Sequence, residues 1–554
     1  MSPRPATLLA LLCASVAASA QGQPVNLLKT EIAEKLEEIY RDWDRDDGPG
    51  GVVAISLEGN MVYARAYGLA ELEHSVPNSV TTKFDIGSVS KQFTAMCILL
   101  LEEDGLLALD DPVAKYIKEM PILEEGITIR QLLTHTSGVR DHTALMAIAR
   151  KRTYGESDVL AMLRKQQDLN FEPGTKFMYS NSGYFLLATI VQSITKKPLS
   201  QFARERIFEP LGMDDTQIVD GPSQVVVNRA ASYRRFRSGY VKAANSQSAN
   251  GAVGVITNVY DMMKWQRNFK FNVLGKGSLD LPDPMLTPHV LPNGEELTYG
   301  LGVYVDDLDG VRRVTHTGSW QGYRSVVTMF PDHDLTIMTL ANDGTQNAFT
   351  YNAKVARIIL ETRLDKTEED SRRSMNLTDG LLQEFVGLYK VGEGTVASVS
   401  REGRRLSIRL TGQPRRDLFA VQADTFYTRE EPLQVAFKYD ADGQVLSGTL
   451  SINGEEFTMR RMEPYEPNDE HMAQLAGTYR SPELDVDLTL VEVNGKLFLQ
   501  RPGRSQRRIN FHLKDRATMG GTRLQFVRDS DGRVIELLQS MDRITNLRFV
   551  RQRS

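Results

Sequence analysis

The sequence has 554 residues, 41% hydrophobic and 25% charged, with a formal net charge of -5 at pH 7. That length supports several domains with a sizeable core, and the near balance of acids and bases gives no footing for nucleic-acid binding. With only Cys13 and Cys97 in the chain, a disulfide scaffold is excluded.

Residues Met1–Ala20 carry Arg4, an apolar run Leu8–Val16 and then Ala18-Ser19-Ala20. This is the pattern of a signal peptide cleaved before Gln21, with an apolar core too short to span a bilayer. Cys13 follows Leu12 rather than a small residue, which argues against a lipid anchor. No later apolar run reaches membrane length. Thr30–Asp42 has Ile32, Leu36 and Ile39 at helical spacing and predicts a first helix. Gly51–Leu57 and Met61–Tyr67, split by Glu58-Gly59-Asn60, read as a hairpin. Phe93, Met96, Cys97, Leu99, Leu100 and Leu101 then recur at helical spacing up to Asp104-Gly105, so a buried helix is expected from Ser88 to Glu103.

Further helices are expected at Asp158–Arg164, Tyr184–Ile194, Ser200–Ile207 and Asp261–Phe269. Residues 217–250 are polar and irregular, a length that calls for a reason such as walling a site. Strands are expected at Leu301–Val305, Arg312–Thr315, Ser325–Phe330 and Leu335–Leu340, followed by a closing helix at Ala348–Thr362. Strands at both ends with helices between predict one mixed α/β domain over 21–362. A charged linker at 363–379 follows. From 380 onward short alternating strands repeat: Phe385–Tyr389 parallels Leu475–Tyr479, and Asp440–Gly443 parallels Asp529–Gly532. Two tandem all-β units, 380–462 and 472–554, are expected with a linker at 463–471, each closing as a small barrel because closure removes free edges.

Three polar motifs carry chemistry. Ser88 and Lys91 stand one helical turn apart, so a buried amine could activate the hydroxyl as a nucleophile. Tyr179-Ser180-Asn181 opens the next long helix and offers a phenol for proton transfer and an amide for holding the amine or a substrate carbonyl. His316-Thr317-Gly318-Ser319 lies at a predicted strand end, where Gly318 admits a ligand close to the backbone and the Ser319 amide, with that of Ser88, could hold an oxyanion. Taken singly, each motif also reads as ordinary structure: a helix start, an N-cap beside a packing aromatic, a strand terminus.

Taken in order, Ser-x-x-Lys, Tyr-x-Asn and His-Thr-Gly resemble the serine β-lactamase and penicillin-binding-protein superfamily, in particular its class C, D-aminopeptidase-like branch. Leu109-Asp110-Asp111-Pro112 and Leu132–Gly138 add to the resemblance, which spans about residues 30–362. It implies an antiparallel sheet flanked by helices, Ser88 as acylated nucleophile, Lys91 beside it and Tyr179 as proton relay. Asn181 becomes a substrate and lysine positioner, His316, Thr317 and Gly318 the wall strand, and Ser319 an oxyanion amide. The D-aminopeptidases resembled here continue into two lipocalin-like barrels, matching the repeat. One of their C-terminal loops reaches the cleft, which makes Leu513–Thr522, with Asp515 for a substrate ammonium, the candidate here.

His316 departs from the lysine of the antibiotic-degrading enzymes, and a histidine that is mostly neutral at pH 7 holds a carboxylate less firmly. The expected substrate order is therefore a D-amino-acid amide or short peptide, then a carboxylic ester, then a β-lactam. A non-catalytic acylated receptor is the rival from another class. Whether Lys91 or Tyr179 is the general base stays open, as does self-association. The remaining histidines lack metal-ligand spacing, His135 reads as a cap or core hydrogen bond, and no metal or organic cofactor is implied.

Overall fold

The computed structural model describes residues 25–237, 239–243, 247–362, 375, 377–392, 395–428, 433–452, 455–500 and 505–552. The expected leader Met1–Ala20 and, of the 363–379 stretch, residues 363–374 and 376 lie outside these residues. The chain divides into two compact units, the first ending at Lys366 and the second beginning at Thr367.

The first unit is built on an antiparallel sheet. Among its elements are β1 (Val25–Asn26), α1 (Thr30–Tyr40), β2 (Gly51–Leu57), β3 (Asn60–Tyr67), α2 (Lys91–Glu103), α3 (Asn181–Thr195), β4 (Tyr304–Leu308), β5 (Val311–Trp320), β6 (Tyr323–Phe330), β7 (Leu335–Ala341) and α4 (Ala348–Glu361), with further helices at Glu156–Arg164 and Val259–Phe271. The sheet runs β1-β3-β2-β7-β6-β5-β4, so its centre pairs an early strand with a late one, Ala54 opposite Met338. Every residue of β7 is buried, as expected of a strand covered by helices on both faces. On one face α1 and α4 supply Leu36, Tyr40, Val355 and Ile359 to a core with Val53, Ile55, Ile337 and Trp43. Tyr40 meets Trp43 edge-on at 5.3 Å between ring centroids, a geometry that adds to simple burial.

Three expectations shift where distant contacts override local pattern. The helix expected from Ser88 begins at Lys91, after a 3-10 turn at Gly87–Ser90. The strand expected at Arg312–Thr315 continues to Trp320, which places His316–Ser319 inside β5 rather than at its end. The strand expected at Leu301–Val305 starts at Tyr304, because 299–303 turns tightly. There a Cβ on Gly302 would lie 3.0 Å from the Lys91 carbonyl, and one on Gly300 would lie 2.2 Å from the Met285 oxygen. The 217–250 segment holds short strands at Gln217–Ile218, Tyr233–Phe236, Gly239–Lys242 and Gln247–Ser248. Among the described residues no helix is long and apolar enough to cross a membrane.

The second unit contains two β-barrels. The first is closed by eight strands from Gly387–Val391 to Glu455–Met462, with Leu388 opposite Met462. The second is a nine-stranded sheet from Gly477–Ser481 to Ile544–Arg551 that curls until Tyr479 meets Arg551. It stops short of closure between Arg507–Arg508 and Asn510–Leu513. The repeat is visible in its fastenings. Tyr389 donates to the Phe385 carbonyl at 2.9 Å and Tyr479 to the Leu475 carbonyl at 2.8 Å. Arg461 and Arg551 lie 5.9 Å over those two rings and donate to the carbonyls of Val386 and Ala476. Each barrel is preceded by a short helix, Asp379–Glu384 capped by Thr378 and Asp469–Leu475 capped by Asn468. Fewer than two turns give too little periodicity to be read from sequence, and the second helix occupies part of the expected 463–471 linker.

Candidate active site

The Ser88 turn is held by three hydrogen bonds. The Ile86 N–H donates to Val255 O at 3.1 Å, the Ser325 hydroxyl donates to Ile86 O at 2.7 Å, and Ser90 Oγ accepts the Val255 N–H at 3.1 Å. Gly87 has φ +52°, and a Cβ there would lie 2.8 Å from the Ser319 nitrogen. The turn therefore needs glycine both for its conformation and for the approach of β5. On the other side of the contact, a Cβ on Gly318 would sit 2.0 Å from Ile86 O, so both residues must lack a side chain for the Ser319 amide to stand beside Ser88. Ser88 is half-buried while its neighbours Gly87 and Val89 are buried, which leaves its hydroxyl reachable.

Lys91 is fully buried. Its Nζ lies 3.2 Å from Ser88 Oγ, 2.9 Å from Asn181 Oδ1 and 3.0 Å from Ala252 O. It also lies 4.7 Å from the Tyr179 ring centroid and 5.4 Å from that of Tyr184. The oxygens of Asn181 and Ala252 only accept. In the neutral amine the two hydrogens can stay on those oxygens while the lone pair faces the Ser88 hydroxyl, the arrangement a base needs. Asn181 is the first residue of α3; the N-cap is Ser180, and the Asn181 N–H donates to Asp141 Oδ2 at 2.7 Å.

His316 is buried in β5 with Nδ1 2.7 Å from Thr317 O and Nε2 3.3 Å from the Tyr299 hydroxyl. Burial first, and Lys91 second, push its pKa down to about 3, so it is neutral at pH 7. His135, at φ 59°, accepts the Ser180 N–H on Nδ1 at 3.2 Å, a core hydrogen bond of the kind expected. The structure thus brings together Ser88, Lys91, Tyr179, Asn181, His316, Thr317, Gly318 and Ser319. Sequence reading missed Tyr299, Asp141 and the Ala252 carbonyl. No local motif marks them; a Tyr-Gly-x-Gly run at 299–302 was the one signal present. Ala252 closely follows the long irregular segment, which accords with that segment walling a site.

Asp515 lies in the second unit, at φ 59° between Asn510–Leu513 and Arg516–Met519. Its carboxylate accepts from Arg528 Nε at 2.8 Å and lies 2.8 Å from His471 Nε2. Asp515 therefore acts first as the anchor of its own hairpin. Among the described residues one group has metal-ligand spacing, Glu71, Glu73 and His74. Glu73 and His74 are exposed and Glu71 is half-buried, and Lys242 lies 3.5 Å from Glu71 and 2.9 Å from Glu73 as a counter-ion.

Asp85, three residues before Ser88, is buried. One oxygen accepts the Gly87 N–H at 2.9 Å, and the other has no hydrogen-bond partner among the described residues. Burial pushes its pKa up to about 6, above the unfolded value of about 3.9. Between these values the folded chain holds the proton more tightly, so stability falls as pH rises through the window, and the full deficit, about 3 kcal/mol, is present above it. Asp85→Asn keeps the acceptor for Gly87 and removes the charge, though its amide hydrogens then need partners. The variant is expected to exceed the wild type by about 1–2 kcal/mol at pH 8 and to lose that advantage near pH 4. Trp43, Trp265 and Trp320 all lie in the first unit, so tryptophan fluorescence during unfolding reads this domain alone; an advantage independent of pH would refute the argument.

A reachable serine, a buried amine one turn on and an adjoining strand amide, set in a mixed α/β domain, define a serine hydrolase. The chain belongs to the Beta-lactamase family, whose family model matches residues 34–361. It is 28% identical over 446 residues to penicillin-binding protein 4* of Bacillus subtilis strain 168, covering 75% of this chain and 96% of that one. It is 25% identical over 458 residues to a D-aminopeptidase of Brucella anthropi, covering 81% and 82%. The octameric penicillin-binding protein homologue of Pyrococcus abyssi shares the fold with a TM-score of 0.54 at 22% identity, over 77% of this chain and all of that one.

Proposed function

We propose that the protein hydrolyses an amide bond through an ester on Ser88, releasing N-terminal D-amino acids from short peptides or amides. The observation that carries this reading is the buried, neutral His316 on the wall strand: it offers no cation for a substrate carboxylate, so a neutral amide or ester fits better there than a free acid. In the proposed course, Ser88 Oγ attacks the carbonyl carbon, and its proton passes through Lys91 and Tyr179 to the leaving amine. The oxyanion is held by the amides of Ser88 and Ser319. Water then adds to the acyl carbon, giving up a proton by the same route, and Ser88 leaves with its hydrogen restored. Lys91 and Tyr179 titrate as a pair in this scheme. The similarity to a D-aminopeptidase, which extends past the catalytic domain, supports the choice of substrate. Export by Met1–Ala20 is part of the same reading, and rests on the leader pattern.

The test is a hydrolysis panel of D- and L-alanine p-nitroanilides, a p-nitrophenyl ester and nitrocefin. Turnover of the D-anilide ahead of the L-anilide and nitrocefin is the expected result. Because one relative is a penicillin-binding protein, nitrocefin is the comparison that matters most. Preference for it, or a burst of one equivalent with no turnover after it, would overturn the reading in favour of a β-lactamase or an acylated receptor.

A further inference from the structure

Two buried histidines and a tyrosine join segments far apart in the chain. The Ser180 N–H donates to His135 Nδ1 at 3.2 Å; His135 Nε2 lies 3.2 Å from Tyr299 Oη; Tyr299 Oη lies 3.3 Å from His316 Nε2; and His316 Nδ1 lies 2.7 Å from Thr317 O. The two ends fix the direction of every hydrogen between them. A backbone N–H can only donate, so His135 Nδ1 is bare and its hydrogen sits on Nε2. A carbonyl can only accept, so His316 carries its hydrogen on Nδ1 and presents Nε2 as an acceptor. Tyr299 then receives from His135 and donates to His316. Burial holds the Tyr299 hydroxyl well above its usual pKa, so it keeps the hydrogen it must donate. The neighbouring Tyr184 hydroxyl gives its own hydrogen to Leu133 O at 2.8 Å. Were Tyr299 to turn its hydrogen toward Tyr184 instead, the buried His316 Nε2 would lose its donor.

We propose that His135, Tyr299 and His316 form one proton-ordered hydrogen-bond chain that positions the Ser319 amide against the Ser88 turn, with His316 acting as a positioning residue rather than a contact for substrate charge. The Thr317 carbonyl held by His316 lies in the peptide plane just before Gly318, and the Ser319 amide lies in the plane just after it. Gly318 pairs with Ser325 in the β5–β6 ladder and packs against Ile86 O, and with no Cβ of its own it depends on such outside contacts to hold these planes; the His316 bond to Thr317 O adds one more. The far end of the chain ties to Ser180, between Tyr179 and Asn181. The chain therefore sets the wall strand and the Tyr179–Asn181 motif against each other as one piece. This role rests on the acyl-transfer reading above.

Two measurements test it. In 15N-labelled full-length protein, ring-nitrogen spectra at pH 7 are expected to show His135 protonated on Nε2 and His316 on Nδ1, each as a single tautomer, and Tyr299→Phe is expected to give His316 a mixture. On whichever panel substrate the wild type turns over, Tyr299→Phe is expected to lower kcat about tenfold or more with KM within about twofold, since loss of a whole oxyanion donor costs about a hundredfold or more. His135→Asn cuts the other link: its side-chain oxygen can still accept from Ser180 and asparagine tolerates the positive φ, so a smaller fall in kcat with intact folding is expected. Mixed tautomers in the wild type, or wild-type kcat in both variants, would overturn the proposal. A wild type inert toward the entire panel sinks the proposed reaction instead, and the ring-nitrogen spectra still decide the chain.

Discussion

Ser88→Ala is expected to lower kcat by about a thousandfold or more and to abolish labelling by a fluorophosphonate probe. Ser88 is the hydroxyl that the buried Lys91 amine meets: Nζ is 3.2 Å from Ser88 Oγ, beside the oxygens of Asn181 and Ala252. Removing Oγ takes away the bond-forming atom while leaving the turn, because Ile86, Ser90 and Gly87 hold it through other atoms. Lys91→Met is expected to be nearly as severe, and the double variant no worse than either single one, since nucleophile and base act as a unit. Tryptophan fluorescence monitors whether each variant keeps the wild-type fold. Ser88→Ala protein that turned over substrate at the wild-type rate would remove the serine from the mechanism.

Acidification is expected to destabilise the catalytic domain strongly. His316 and His142 are both buried, with pKa values lowered to about 3 and about 4. Desolvation is the leading cause for both; Lys91 lowers both further, and Asp141 partly offsets the shift at His142. Each is depressed below the unfolded value of about 6.5. Below that value the unfolded chain takes up protons that the folded one refuses, so stability is lost as pH falls through the window. At pH 4 the two together cost about 6 kcal/mol, of the order of a whole domain's stability. The raised pKa of Asp85 acts in the opposite direction and returns about 2 kcal/mol between pH 7 and pH 4. The tryptophan-monitored urea midpoint should therefore fall clearly between pH 7 and pH 4, and His142→Gln should flatten the fall. A wild-type midpoint that did not move would show that the two rings are already charged, or hydrated, in the folded chain.

The parts of the site legible in the sequence are those written as local patterns. Ser88 and Lys91 share a turn, Tyr179 and Asn181 flank a helix start, and Gly318 sits in a recognisable strand motif. The parts that were not legible act across the fold. Tyr299 meets His135 and His316 only after the turn at 299–303 has packed against α2, and Ala252 contributes a backbone oxygen, which every residue has. His316 shows both sides. Its neutrality was expected from its residue type, but the depth of the shift comes from burial and from Lys91, neither of which its neighbours in sequence reveal. The barrels were legible through their repeat, and the short helices that open them were not, being shorter than the stretch over which a helical period can be read.

The order of strands in the catalytic sheet also governs when the enzyme comes into being. β2 is made early, and its inner neighbour β7 late. A chain still emerging from the ribosome carries Ser88 and Lys91 long before it carries Ser319, and until the β5–β7 ribbon docks, β2 presents a bare edge. Such long-range pairing is slow to form and the open edge invites partners while it waits. The nascent protein thus holds Ser88 and Lys91 without the Ser319 amide, and the proposed site is complete only when its two halves have met.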